Sequence, residues 1–362
     1  MSEAKETCPS ATYCALRKVW AFQFPNLPKV LSMALTPINE DHALQIQAGL
    51  LGRKAGHAFE DEITSGINSI SYPVSFPRAT HHVSKGKAAN ALLGYVASVY
   101  GSTLIESATA LSTGALATST TGKKWLEVNG VTVKRCKSDI ILTVRLQGIP
   151  DVLTVGVSTK QCNNKTPTNA QLYFTTAVSF AKLLQSNGIS VSDEAVTALR
   201  KFCGDAGYRP LDFPDDLVGR VSDPRRYFWE EIGEAGRLEW EAIFSNFQDE
   251  VTRLLLQKAY LNDPFSPNLL LHKTRKVLDP LKVETAIYTI DEIISHSAAY
   301  NGFSTKLYSV NKGSYRDPIG VKHQAPRFGI VQMQRGGQKQ HPTQLQFNLE
   351  AGYFYKVVQE TP

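Results

Sequence analysis

Apolar residues four apart dominate the first ordered stretch. Leu51, Ala55, Phe59 and Ile63 make one helical stripe. A helix is therefore expected from a cap at Asn39 or Asp41 to about Ile67. Gly56 and Glu60 share the adjacent stripe, where a glycine lets a neighbouring backbone come close. Tyr72-Pro73, Phe76-Pro77 and His81-His82 mark a loop over 71–87, and 88–118, rich in Ala, Ser, Gly and Leu, reads as partly helical. The period then drops to two. Trp125–Val128 and Val131–Arg135 flank Asn129-Gly130, a strong hairpin signal. Asp139–Val144 and Val152–Lys160 flank a turn at 147–151. Asn169–Leu184 reads as a helix, 190–280 as helical with an amphipathic helix inside Leu238–Ala259. Strand patterns return at Thr285–Ile290, Ser304–Val310, Phe328–Gln334 and Gln344–Leu349. The implied fold is α/β: a mixed central sheet flanked by helices, a helical insertion and a C-terminal β-rich segment. The corresponding division is an irregular arm over 1–35, a core over 36–188, the insertion over 189–280 and the β-rich segment over 281–362.

Composition narrows the class. Of 362 residues, 42% are hydrophobic and 20% charged, which supplies a core and excludes a disordered chain. No apolar run reaches the roughly 18 residues of a membrane span, and the start lacks the basic and apolar regions of a secretory signal. Cys8, Cys14, Cys136, Cys162 and Cys203 are odd in number and form no CxxC pair. That argues against a disulfide framework or a zinc site and for a cytoplasmic chain with reduced thiols. The net charge of +6 suits a polyanionic partner without identifying one. Walker loops and the GxGxxG, GxSxG and HExxH patterns are missing.

The candidate chemistry lies in the second hairpin. Antiparallel pairing through the 147–151 turn sets Asp139 beside Ser158 and Lys160, and alternation puts all three on one face. A carboxylate and an ammonium at one sheet edge suit hydrolysis of a phosphodiester. Mg²⁺ needs only one or two protein carboxylates, and a lysine beside the metal-bound water can orient it, take its proton or stabilise the charged transition state. Asp139 is the expected metal ligand, Lys160 the group serving the water, and the Thr159 carbonyl a further ligand. Ser158 stands where a second strand carboxylate would be useful. Glu60, on the helix before the sheet, is the candidate replacement, with Asp61 and Glu62 as neighbours to be distinguished from it. Arg53, Lys54, Lys123 and Lys124 add positive charge nearby in sequence.

The series Glu60 within Gly56-His57-Ala58-Phe59-Glu60, then Asp139, then Ser158-Thr159-Lys160, resembles the PD-(D/E)xK nuclease superfamily, and within it type II restriction endonucleases with serine before xLys. The resemblance covers about residues 40–185. It implies a restriction-endonuclease-like α-β-β-β-α core, Mg²⁺-dependent cleavage of double-stranded DNA, and a homodimer. Two departures stand out: Ser138 precedes Asp139 where proline is usual, and the strand acid is Ser158. In some relatives the substitute acid lies on the helix after the lysine, but Lys160–Gln185 contains no Asp or Glu, which favours Glu60.

A DNA-reading surface is expected in two places. Gln161, Asn163, Asn164 and Lys165 directly follow the lysine. Near the C-terminus, Gln332 and Gln334, then Gln344, Gln346 and Asn348, alternate with apolar residues around a hairpin carrying Arg335, Gln338 and Lys339. A two-stranded ribbon fits the major groove, where Arg pairs with guanine and Gln or Asn with adenine. The function expected is a sequence-specific DNA endonuclease. A repair or structure-selective nuclease on the same core, and a DNA-binding module without cleavage, remain as alternatives.

Overall fold

The computed structural model describes residues 56–79, 82–113, 127–128, 130–133, 136–161, 169–258, 263–273, 284–300, 302–311, 315–336 and 343–350. The N-terminal arm, Leu51, Arg53, Lys54, Ala55, His81, Lys123, Lys124, Asn163, Asn164, Lys165, Gln338 and Lys339 lie outside the described residues.

Helix α1 occupies 56–68 and buries Phe59, Ile63 and Ile67, each four residues after the last. Helix α2, Ala88–Val99, packs into the same apolar cluster. Both cover one face of a seven-stranded sheet. Its strands are β1 (Val74–Ser75), β2 (Val83–Lys85), β3 (Leu104–Ser112), β6 (Ile140–Leu146), β7 (Leu153–Gln161), β9 (Leu269–Lys273) and β10 (Glu284–Thr289), in the spatial order β1-β3-β6-β7-β9-β10-β2. A small separate hairpin pairs β4 (Glu127–Val128) with β5 (Val131–Thr132). Neighbours in the seven-stranded sheet run antiparallel except β7 and β9, which are parallel.

A parallel pair needs a crossover, and here the crossover carries most of the helices. It contains β8 (Ala170–Thr176), α3 (Ala177–Gln185), α4 (Asp193–Cys203), α5 (Glu234–Asn246) and α6 (Gln248–Gln257). After β10 the chain forms α7 (Ile290–Ala298), β11 (Phe303–Tyr308), β12 (His323–Phe328), β13 (Val331–Arg335) and β14 (Gln344–Leu349). Strands β11-β12-β13-β14-β8 form a second, antiparallel sheet. One of its faces meets α3 to α7 in the larger core around Phe180, Trp240, Phe244, Phe328 and Phe347. That core also takes Leu270, Ala286 and Tyr288, while Leu269, Leu271 and Ile287 face α1 and α2. Strands covered on both faces are apolar at every position, which explains the unbroken Leu269-Leu270-Leu271.

The fold is thus mixed α/β, and several elements differ from expectation. Asn169–Leu184 is not one helix: β8 comes first, and Thr176 caps α3 by accepting from the Ser179 amide at 3.2 Å. The segment over 190–280 ends in β9, a strand of the seven-stranded sheet. The helical pattern across Leu238–Ala259 divides between α5 and α6 at Phe247. Residues 88–118 change from helix to strand at β3. Phe328–Gln334 is two strands, turned at Gly329. A side chain there would meet Ser297 Oγ at 2.1 Å, and the φ of +51° is one that glycine adopts readily.

Candidate active site

Asp139 is fixed from two sides. Its amide donates to the Val157 carbonyl at 2.8 Å and its carbonyl accepts from the Thr113 amide at 2.9 Å, so β3, β6 and β7 all hold it. The preceding residues are tied to 263–265: Ser138 Oγ donates to the Phe265 carbonyl at 2.6 Å and the Lys137 amide to Asp263 Oδ2 at 2.5 Å. Gly156 permits this close approach, because a Cβ there would lie 2.3 Å from Ser138 Oγ.

Ile140 pairs with Val157, so Asp139 faces Ser158 across the strands. Asp139 Oδ2 accepts from Ser158 Oγ at 3.1 Å and from the Thr159 amide at 2.7 Å, and Lys160 Nζ lies 3.5 Å away. Lys160 Nζ also donates to Ser158 Oγ at 2.9 Å and to the Thr159 carbonyl at 2.8 Å. Ser158 therefore bridges the acid and the amine. The Thr159 carbonyl, expected to face a metal, holds the ammonium instead. The side chains of Asp139 and Lys160 are 30% and 20% exposed, which leaves a path for an incoming ligand.

Glu60 approaches the end of β7 from α1, on the other side of the strand, near enough for Asp139 and Lys160 to act on its charge. Thr159 points to the opposite face from Ser158 and Lys160, and its Oγ1 donates to Glu60 Oε1 at 3.4 Å. One residue thus contacts both acids, Asp139 through its amide and Glu60 through its hydroxyl. Burial pushes the Glu60 carboxyl up to about 7; the negative charge of Asp139 adds to this and Lys160 opposes it. Glu60 Oε2 is buried and has no hydrogen-bond partner among the described residues. Asp61 and Glu62 face solvent, so helix geometry separates them from Glu60.

Two basic residues around this centre escaped the sequence reading. Lys137 Nζ donates to the Leu172 carbonyl at 2.6 Å and sits 5.2 Å above the Tyr173 ring. Burial, then repulsion from Lys160, brings its ammonium down to about 7. The available signal was its position two before Asp139, on the same side of an extended chain. His272 pairs with Lys160 in the β7–β9 register. Burial first and Lys160 second lower its imidazole to about 4, so it is neutral at neutral pH.

The glutamines and Arg335 are placed apart. Gln332 and Gln334 share a face with Gln346 and Asn348, joined by side-chain hydrogen bonds. Arg335 keeps the parity of buried Val331 and Met333 and turns the other way. Its guanidinium lies 4.2 Å from the Phe228 ring centre and 5.4 Å from that of Phe202, and it donates to the Tyr227 carbonyl and the Tyr308 hydroxyl. Arg335, expected with the glutamines to read DNA, thus lies on the opposite face of β13 from them. Gln161 closes β7 and pairs with Lys273.

No protein-family model and no curated protein matches the chain. Among the described residues, no helix is long and apolar enough to cross a membrane.

Proposed function

We propose that the chain is a Mg²⁺-dependent endonuclease that hydrolyses phosphodiester bonds of double-stranded DNA at specific sequences. The observation that carries this reading is Thr159 set between two carboxylates, with Lys160 turned onto the same strand end. The antiparallel β3-β6-β7 meander with β9 parallel to β7, and α1 packed against it, agrees with the core that the sequence resemblance implies.

The donor set suits a hard divalent ion. Among the described residues no three His, Cys, Asp or Glu side chains gather to hold a metal ion, so the ligands proposed are the two acids Asp139 and Glu60. Mg²⁺ keeps several waters and requires one or two carboxylates. Asp139 offers Oδ1, since Oδ2 already receives the strand contacts, and Glu60 offers its unpaired Oε2. Bound there, Mg²⁺ would neutralise phosphate charge and lower the pKa of a coordinated water. Lys160 orients the attacking water and offsets the charge that builds on the phosphate oxygens. Ser158 keeps the Lys160 amine directed at the site. The water oxygen bonds to phosphorus and gives up one of its protons, one P–O ester bond breaks, and the departing oxygen takes up a proton from solvent, so the net change is the addition of one water. Cutting both strands at a fixed offset is simplest with two copies related by a twofold axis.

The test is incubation of the full chain with plasmid DNA and Mg²⁺, alongside Lys160→Ala. Discrete fragments from the unsubstituted chain alone are expected. A smear would move the reading to a repair or structure-selective nuclease. DNA retained without any cut would support the binding module, the alternative favoured by Ser158 standing at the strand-acid position.

A further inference from the structure

The face of the second sheet that turns away from the aromatic core is lined by carboxamides arranged in two rungs. The first runs across four strands through Arg327, Gln332, Asn348 and Gln171, and the second through Gln334, Gln346 and Phe174. Hydrogen bonds join the amides into one chain. Gln332 Oε1 accepts from Asn169 Nδ2 at 3.2 Å and from Gln334 Nε2 at 2.6 Å. Gln334 Oε1 accepts from Asn348 Nδ2 at 3.3 Å, and Asn348 Oδ1 from Gln346 Nε2 at 3.0 Å. Asn348 is buried and acts as the anchor, while Gln332, Gln334 and Gln346 are half-exposed.

The bonds already made determine what each side chain can still offer. A carboxamide has two N–H donors and an oxygen with two lone pairs. Gln346 has spent one N–H, so its oxygen and its second N–H stay available among the described residues. Gln334 has spent one N–H and one lone pair and keeps one of each. Gln332 has filled its oxygen and keeps only donors. A fixed donor beside a fixed acceptor is the pair that the major-groove edge of adenine requires, with N7 accepting and the N6 amine donating.

Strand β8 joins this face to the carboxylate site. Gln171 pairs with Asn348, and the adjoining Leu172 carbonyl receives Lys137 Nζ, two residues before Asp139. A duplex held at Asp139 and Lys160 is thereby brought alongside the amide rungs.

We infer that Gln334 and Gln346, held in orientation by Asn348, Gln332 and Asn169, read adenines in the major groove of the duplex that the Asp139–Lys160 site engages. This inference rests on the nuclease reading for its ligand but not on cleavage for its test. The full-length Lys160→Ala chain is mixed with a random-sequence DNA duplex pool, and the bound fraction is sequenced. Enrichment of adenine at fixed positions is expected. Replacing one such adenine by 7-deazaadenine, which lacks the N7 acceptor, should weaken binding about tenfold or more. Gln346→Leu and Gln334→Leu should each erase the preference at one position, with the dependence of binding on salt unchanged. Gln346→Glu keeps the side-chain size and should move the preference toward cytosine, whose N4 amine donates, so a leucine variant that fails to fold does not leave the matter open. Enrichment that survives both leucine variants overturns the inference and leaves the nuclease reading intact; bound DNA without enrichment overturns the inference and reduces the nuclease reading to cleavage without sequence preference. Enrichment by Lys160→Ala, together with no cutting by the unsubstituted chain and Mg²⁺, overturns the nuclease reading and keeps this one. Failure to bind any duplex sinks both.

Discussion

Asp139 with Lys160 and Asp223 with Arg225 are both acid–base pairs near strand or turn ends, yet they are built for opposite ends. Asp223 is 1% exposed. It accepts from Arg225 Nε at 2.8 Å, Nη2 at 3.0 Å and the Arg225 amide at 3.0 Å, and Arg226 Nε approaches to 3.6 Å. The Arg225 and Arg226 contacts outweigh the cost of burial and hold its carboxyl below the usual range. Asp139 is more exposed, its contacts gather on one oxygen, and the lysine stands 3.5 Å off with two other acceptors of its own. A saturated pair has no valence left for a ligand, and its loss is paid in stability. In the Asp139–Lys160 pair the three N–H groups of the lysine all meet acceptors, but the contacts to Asp139 fall on Oδ2 alone. The acid therefore keeps valence for a ligand beside a buried, half-satisfied carboxylate, and loss of the pair should appear in chemistry.

Four substitutions test that contrast. Lys160→Ala should lower Mg²⁺-dependent DNA cleavage by about 10²–10⁴-fold, as the loss of a positioned proton-handling group does, with the melting temperature nearly unchanged. A parallel fall in melting temperature would make Lys160 a scaffold residue like Arg225. Asp223→Ala should do the reverse. Asp223 is buried, but the Arg225 side chain is 37% exposed and can turn to water. The loss is therefore about 1–3 kcal/mol, that of unpaired hydrogen-bonding groups around the less exposed Arg226, read in urea unfolding, while cleavage per folded molecule is preserved.

The third test uses acid. The His272 imidazole, lowered from 6.5 to about 4 by burial and by Lys160, binds a proton in the unfolded chain at a higher pH than in the folded one. Its contribution is fully present above pH 6.5 and is lost as pH falls toward 4, a change on the order of 1–3 kcal/mol. The depressed carboxyl of Asp223 contributes stability above its unfolded pKa, near 4, and loses it only below that. Glu60, raised to about 7, gains stability over the same fall in pH and opposes this loss, so the test is the difference between chains. His272→Asn should hold its melting temperature better than the unsubstituted chain as pH falls from 6.5 to 4, and identical curves would remove His272 from the acid response. The smallest effect is Glu60→Gln, expected to raise the Mg²⁺ concentration for half-maximal cleavage about tenfold, the loss of one carboxylate ligand. An unaltered requirement would remove Glu60 from the metal set.

How far the sequence revealed this arrangement depended on distance along the chain. Asp139, Ser158 and Lys160 meet through one short turn, so alternation alone places them. Glu60 was found by elimination, and its separation from Asp61 and Glu62 follows from the buried stripe of Phe59 and Ile63. The parity of Val331, Met333 and Arg335 puts the arginine on the apolar side, whereas the polar composition of the hairpin suggests the other. Strand β8 was hidden because its ladder partner is β14, far along the chain, and its apolar residues run directly into α3. Strand β9 was hidden because three leucines in a row fit a buried helix as well as a strand covered on both faces. Lys137 could not be ranked until Leu172 and Tyr173 were known to lie beside it.

Thr159 sits between the two acids in a way that limits which residues the position accepts. A serine would retain both the amide and the hydroxyl contact. A valine would keep the shape and the bond to Asp139 but leave Glu60 with no donor among the described residues. In a library randomised at this codon, selection for cutting should return the two hydroxyl-bearing amino acids and discard their closest aliphatic mimic.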